Sequence, residues 1–196
     1  MLLEASSHGL GCPACRVQTK GKEQNIMKKI VSLLLAAMML FGATACGSQE
    51  PAAPTLKEGV TLQSIVDSIS EEYEFSMPGA LDETMLTDLL GINTDDVEDY
   101  AGNITMVMVS ADNLIAVKAK EGKLETVQKA LEDRLAFVNQ SFQQYLPEQY
   151  SKAQAGKVFT VGDYAFLVIM GRMDHDPAAE VAEIEEKIKG NFDNVA

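Results

Sequence analysis

The sequence predicts an α+β fold, a two-layer sandwich with a mostly antiparallel four-stranded sheet and helices at the start of the domain. Two observations predict this class. Two pairs of short apolar runs are each interrupted by turn residues, Ala111-Asp112-Asn113 in the first pair and Gly162-Asp163 in the second. Each pair is followed by a segment with helical apolar spacing. We therefore expect two β-β-α units after a helical start.

The helical start is expected at Thr61, whose hydroxyl suits the first capping position of a helix. The apolar residues that follow lie on one helical face: Leu62, Ile65, Val66, Ile69 and Tyr73. The Met77-Pro78-Gly79 run ends this helix. A second short helix is expected at residues 82–90. A further turn begins at Asn93, because the acids after it favour the positive end of a helix.

The strands of the first pair are predicted at residues 104–110 and 114–120. In the first of them Met106 and Met108 lie on one face, and Val107 and Val109 lie on the other. Both faces of the sheet are therefore apolar at this point. One face must be covered by the N-terminal helices or by a partner, such as a second copy of the chain in a homodimer.

The long helix after this pair begins at Gly122 and is stopped by Pro147. A short helical turn is expected at residues 148–155, followed by the second strand pair at 157–161 and 164–170. A closing helix begins at Asp176-Pro177, because aspartate suits the cap and proline suits the first helical position.

Charge excludes one class of partner. The 196 residues include 16 Lys and Arg against 29 Asp and Glu, which gives a formal net charge of −13. Such a chain repels the phosphates of DNA and RNA, so no nucleic-acid partner is expected. Charged residues make up 23% of the chain, which is too polar for a protein with several membrane spans.

A secretory signal is indicated at residues 27–45. Two lysines follow Met27, an apolar run continues from Ile30 to Phe41, and small residues lead to Cys46. A lone cysteine in this place resembles the lipobox of bacterial lipoproteins, which implies cleavage between Ala45 and Cys46 and a lipid on the Cys46 thiol. The protein is then anchored in the cell membrane on its extracytoplasmic side. An uncleaved membrane-spanning signal is the alternative.

The remaining boundaries follow from composition. Residues 1–26 lack apolar periodicity, so we expect no structure there and translation from Met27; the Cys12 and Cys15 pair lacks the context of a redox or zinc motif. Residues 46–59 are small, polar and rich in proline, which is typical of a flexible tether. A single α+β domain is expected at 60–191, with a tail at 192–196.

Residues 96–170 resemble a family of Gram-positive bacterial lipoproteins that carries domain of unknown function 4358. The resemblance is carried by three longer runs: Asp96-Val97-Glu98-Asp99-Tyr100, residues 115–123 (IAVKAKEGK), and Tyr145-Leu146-Pro147-Glu148-Gln149-Tyr150. Two shorter segments add to it, Ser141-Phe142 and Gly162-Asp163-Tyr164. The resemblance implies a location outside the cell. It implies no activity and no site residues.

Catalytic, cofactor and metal sites are not expected. The chain has only His8 and His175, and no serine stands in the strained Gly-x-Ser-x-Gly turn of serine hydrolases. Asp174-His175-Asp176 lacks a second group of ligands, and the acids at residues 95–99 lack the spacing of a calcium loop. We therefore expect a non-catalytic binding or assembly module. A lipid-tethered hydrolase that uses paired carboxylates is the alternative.

A partner surface is suggested around Pro147 by three aromatic residues: Phe142, Tyr145 and Tyr150. Aromatic side chains are enriched where proteins meet partners. The other interpretation is a packed corner between two helices.

Overall fold

The computed structural model describes residues 52–172 and 174–195, which contain four α-helices, seven strands and two short helical turns of other types. The helices are α1 (Leu62–Glu72), α2 (Leu124–Phe142), α3 (Pro147–Ala155) and α4 (Pro177–Lys189). The strands are β1 (Thr55–Leu56), β2 (Pro78–Ala80), β3 (Val97–Thr105), β4 (Asn113–Ala119), β5 (Lys157–Val161), β6 (Tyr164–Ile169) and β7 (Phe192–Asp193). The signal, Cys46 and the Cys12 and Cys15 pair lie outside these residues.

The main sheet has five strands in the order β2-β3-β4-β6-β5, and every neighbouring pair is antiparallel. The α+β class is therefore confirmed, with one strand more than the four expected. The additional strand is β2, where Gly79 pairs with Ile104. Its Pro78 and Gly79 favour a turn locally, and only the pairing with a distant strand makes this segment extended.

Helices cover both faces of the sheet. Alternate residues of the central strand β4 point to opposite sides: Leu114 and Ala116 pack in one apolar cluster with α1 and α4, and Ile115 and Val117 pack in another with α2. The sandwich thus has three layers, where the sequence predicted two. The second face is covered by the chain's own helices, so a homodimer through it would find no free sheet surface.

The hairpin of β3 and β4 differs from the expected one. Its register runs from Val97 opposite Ala119 to Ile104 opposite Asn113, so β3 ends at Thr105 and residues 106–112 form the β3–β4 loop. The prediction of a strand at 104–110, with Met106 and Met108 on one of its faces, was wrong after Thr105. Long-range register, rather than local β propensity, sets where this strand ends.

Helix boundaries agree more closely with the sequence. The Thr61 side chain accepts a hydrogen bond from the Ser64 amide at 3.1 Å, and the Asp176 side chain accepts one from the Ala178 amide at 3.1 Å. These two residues cap α1 and α4, as expected. The helix expected at 82–90 is a π-helical turn at Met85–Leu89, and the turn after Asn93 is a 3₁₀ helix at Thr94–Asp96.

Two segments outside the expected domain core also pair. Thr55 lies opposite Asp193, and Leu56 lies opposite Phe192, which makes a small antiparallel sheet of β1 and β7. The Phe192 ring packs edge-on against Tyr164, with the ring centroids 4.9 Å apart. Leu56, from the segment expected to be a tether, and Phe192, from the segment expected to be a tail, thereby pack against the apolar cluster that α1 and α4 form with the sheet.

Acid sensitivity is expected from Glu185 on α4. Burial raises the pKa of its carboxyl, but hydrogen bonds from Lys157 at 2.6 Å and Lys189 at 2.9 Å outweigh this and hold the pKa below its usual range. A lowered folded-state pKa adds stability above the unfolded value of about 4.3, and this stability is lost as the pH falls through the folded-state pKa. Urea unfolding of Glu185→Gln should therefore show lower stability at neutral pH and a smaller loss on acidification.

The matched control for that experiment is Glu186→Gln on the same helix. The Glu186 side chain is 75% exposed, so its pairing with Lys189 contributes little. If acidification lowers the unfolding free energy of Glu185→Gln as much as that of the unmodified chain, the pH dependence does not come from Glu185.

Candidate functional site

An open apolar groove lies between the β3–β4 loop and the C-terminal half of α2. Its volume is about 630 Å³. The polar residues that line the groove include Arg134, Asn113 and Ser141. Most of its walls are formed by larger apolar and aromatic side chains: Met106, Met108, Phe137, Val138, Phe142 and Tyr145.

Several of these apolar side chains are exposed to solvent. The exposed fraction is 92% for Met108, 62% for Met106, 59% for Phe137 and 56% for Tyr145. Val109, beside Met108 on the loop, is 55% exposed and lines a second depression with Leu146 and Pro147. Large apolar residues that are exposed as a contiguous group mark interaction sites in soluble proteins.

The β3–β4 loop is held at its C-terminal end by α3. The Asp112 carboxylate receives Lys152 Nζ at 2.8 Å and the Ser76 amide at 3.0 Å, and the Ala111 amide donates to Gln149 Oε1 at 3.0 Å. The Asp112 and Lys152 side chains are only 4% and 11% exposed. This buried ion pair fixes the end of the loop, while Met108 at its middle faces solvent.

The geometry of α3 follows from its first residues. Leu146 adopts a left-handed conformation with φ 52°, and Pro147 takes the first helical turn, where its missing amide costs no hydrogen bond. The chain therefore turns sharply between α2 and α3. The turn brings Gln149 and Lys152 to the β3–β4 loop, where both side chains bind it. Leu146, Pro147 and Gln149, which belong to the run that carries the family resemblance, thus have a structural role in holding this loop.

Arg134 lies on the α2 wall of the groove. Its Nε donates a hydrogen bond to Asn113 Oδ1 at 3.0 Å, and its guanidinium carbon lies 5.5 Å from the centroid of the Phe137 ring. Burial lowers the pKa of this guanidinium, and no charged group among the described residues contributes to the shift. The groove thus contains a partly desolvated cation without a carboxylate partner in the described part of the chain.

The three aromatic residues expected to bind a partner have separate environments. Phe142 is 7% exposed and contributes to the buried floor of the groove, whereas Tyr145 stands exposed at its rim. Tyr150 is partly buried against the apolar cluster beneath α2 and does not line the groove. The structure therefore brings two of the three to one site.

Sequence reasoning missed Arg134, Phe137 and the exposed part of the β3–β4 loop. Phe137 offers a signal that could have been used, since it lies outside the apolar face of α2 that Leu131, Val138 and Phe142 form. An aromatic residue away from the buried face of a helix is a candidate for partner contact. Arg134 offers no such signal, because its contact with Asn113 of β4 joins residues that are 21 positions apart in the chain.

Two of the acids considered as calcium ligands, Asp95 and Asp96, have structural roles. Asp96 pairs with Lys123 at 2.8 Å, and the Asp95 amide donates to the capping Asn93 at 2.9 Å. In the described part of the chain, no group of three or more His, Cys, Asp or Glu residues could hold a metal ion. None of the helices described is long and apolar enough to cross a membrane.

Comparison with known proteins gives one match. The family model described as "Domain of unknown function (DUF4358)" matches residues 71–170, about half of the chain. No curated protein and no solved structure matches the chain. The matched residues run from the end of α1 to the end of β6 and include the whole groove. The chain therefore belongs to the DUF4358 family.

Proposed function

We propose that this chain is a lipid-anchored, extracytoplasmic protein of a Gram-positive bacterium, and that its folded domain binds a partner protein through the apolar groove. The observation that carries the binding role is the set of exposed side chains around the groove, above all Met108 and Phe137. Methionine is flexible and polarizable, and it is common on surfaces that adapt to a partner.

The chemistry of the groove supports binding rather than hydrolysis. None of the described residues that line it is Asp, Glu, His or Cys, so its walls offer no general base and no nucleophile of the usual kinds other than hydroxyl groups. The proposal therefore makes the domain a binding or assembly module.

The anchor part of the proposal rests on the sequence around Cys46. A lysine pair, an apolar run and small residues precede this cysteine, as in lipoprotein signals. From Cys46 onward the chain has 11 Lys and Arg, which is 16 minus the five before it, against 27 Asp and Glu, which is 29 minus two. Such a net negative charge opposes attraction to anionic lipid, so acyl chains on Cys46 would supply the attachment.

Replacing Cys46 with serine is expected to move the protein out of the membrane fraction or to leave it unprocessed, because serine has no thiol to acylate. Fractionation of cells that express the variant measures this, and mass spectrometry of the mature N-terminus shows whether Cys46 carries lipid. Ser48→Ala, a change at another small polar residue beside Cys46, is the matched control and should not change the fractionation. A mature N-terminus at Cys46 without lipid in the unmodified chain would refute the anchor, and so would equal membrane attachment of a Cys46→Ser chain that has been cleaved.

A photoreactive residue at position 137 tests the binding role in intact cells. We expect a discrete protein adduct from this position and none from position 129, an exposed site on the same helix outside the groove. A second substitution, Met108→Glu, should abolish the adduct because it places a charge on the apolar surface opposite. An adduct that persists in the Met108→Glu background would show that the groove is not the binding surface.

A further inference from the structure

We infer that the partner contributes an amphipathic segment with an acidic side chain among its apolar residues, and that this carboxylate binds Arg134. The inference rests on the proposed binding role of the groove and specifies the chemistry of the segment that occupies it.

The first reason is the difference between the two arginines that the structure describes. Arg172 is paired with the buried carboxylate of Glu180, with Nε 2.6 Å from Oε1. Arg134 makes one side-chain hydrogen bond, to the neutral amide of Asn113, and its burial is not offset by a negative charge of the described chain. A desolvated cation gains most from a charge-assisted bond that a ligand brings.

The second reason is the orientation of the guanidinium. Asn113 is 1% exposed, and its Nδ2 donates to the Ala111 carbonyl at 2.9 Å, so its Oδ1 is held in place to accept from Arg134 Nε. This bond uses one edge of the guanidinium and leaves the terminal Nη groups without a hydrogen bond to the described chain. Two parallel N–H groups match a carboxylate, which favours an acidic group as the ligand.

The third reason concerns the size of the occupant. Sites for small molecules enclose about 70–90% of the ligand surface. Here the Met108 side chain, at 92% exposed, and Phe137, at 59%, stand in solvent on the two sides of an open groove. A protein segment brings its own covering surface, and an amphipathic helix places its apolar side chains in such grooves. These observations favour a protein segment over a free fatty acid.

Selection from a random peptide library displayed on phage tests the inference. The bait is the full chain in phospholipid nanodiscs, with empty nanodiscs used to remove lipid binders. We expect the selected peptides to carry Asp or Glu flanked by apolar residues. The best of them, as a synthetic peptide, should bind Arg134→Gln about tenfold more weakly, because the charge-assisted bond is lost. Arg134→Lys should recover part of the affinity.

Two control variants separate the possible results. Lys129→Gln removes an exposed positive charge from α2 outside the groove and should bind the peptide like the unmodified chain. Met108→Glu should prevent selection altogether. Arg134→Gln should still unfold in one cooperative thermal transition, at a lower temperature than the unmodified chain, because Asn113 Oδ1 loses the hydrogen bond from Arg134 Nε.

Four results would overturn the inference. Selected peptides without acidic residues, or equal binding by Arg134→Gln, would leave the groove as a binding site but remove the carboxylate contact. Dodecanoate that binds the groove while no peptide is selected would identify a lipid ligand. Failure to enrich any ligand above the Met108→Glu background would refute the binding role itself.

Discussion

Replacing Lys152 with methionine is expected to lower the free energy of unfolding by about 3–5 kcal/mol. The change removes the one cation that pairs with the Asp112 carboxylate among the described residues. This carboxylate is 4% exposed, and the Ser76 amide alone cannot offset the desolvation of its charge. Equilibrium unfolding in urea measures the loss. The β3–β4 loop should also be released from α3, so binding at the groove should weaken in the variant that remains folded.

A double variant shows whether the buried charge is the cause. Asp112→Asn combined with Lys152→Met keeps an acceptor for the Ser76 amide and removes the unpaired charge, so it should be more stable than Lys152→Met alone. Lys129→Met is the exposed control: its pair with Asp133 is more than half exposed on both sides and should cost less than about 1 kcal/mol. A double variant no more stable than Lys152→Met would contradict the explanation.

Replacing Phe166 with alanine is expected to destabilise the fold by a similar amount, about 3–5 kcal/mol. Phe166 is completely buried on the face of β6 that packs against α1 and α4. Its ring stacks on Phe159 with the centroids 5.3 Å apart and meets Phe192 edge-on at 6.0 Å. The truncation loses both ring contacts and leaves a cavity that the surrounding sheet cannot fill.

The same substitution at Phe137 is the matched control. Because Phe137 is 59% exposed, Phe137→Ala should change the stability by no more than about 0.5 kcal/mol and should instead weaken binding at the groove. Phe166→Ala should instead lower the stability and leave binding at the groove unchanged in the fraction that stays folded. Equal losses of stability in the two variants would mean that the assignment of core and surface at these positions is wrong.

Local chemistry was enough to predict the ends of several elements. Thr61 and Asp176 cap helices through bonds to amides within three residues, and Gly162-Asp163 joins β5 to β6. These features depend on neighbours in the chain, so a single sequence contains the information. The α+β class follows in the same way from the order of such elements.

The strand register required contacts between distant residues. The run of Ile104 to Val109 has high β propensity along its whole length, yet pairing of β3 with β4 ends the strand at Thr105 and leaves Met106 and Met108 outside the sheet. The short strand β2 exists because it lies beside β3, although Pro78 and Gly79 favour a turn. Propensity describes the individual residue, whereas a sheet is stabilised by pairs.

Some residues of the candidate site could be predicted from the sequence, and others depend on contacts between distant residues. Phe142 and Tyr145 could be nominated from the sequence, because aromatic residues near a helix-breaking proline are visible in it. Arg134 became part of the site only through Asn113 on β4 and the loop that α3 holds in place, since burial and the absence of a counter-charge arise from residues far apart in the chain. Helix caps and hairpin turns are local properties, and the amino-acid sequence alone specified them. Layers, strand register and the partly desolvated charge depend on contacts between distant residues, so they were settled only in the tertiary structure.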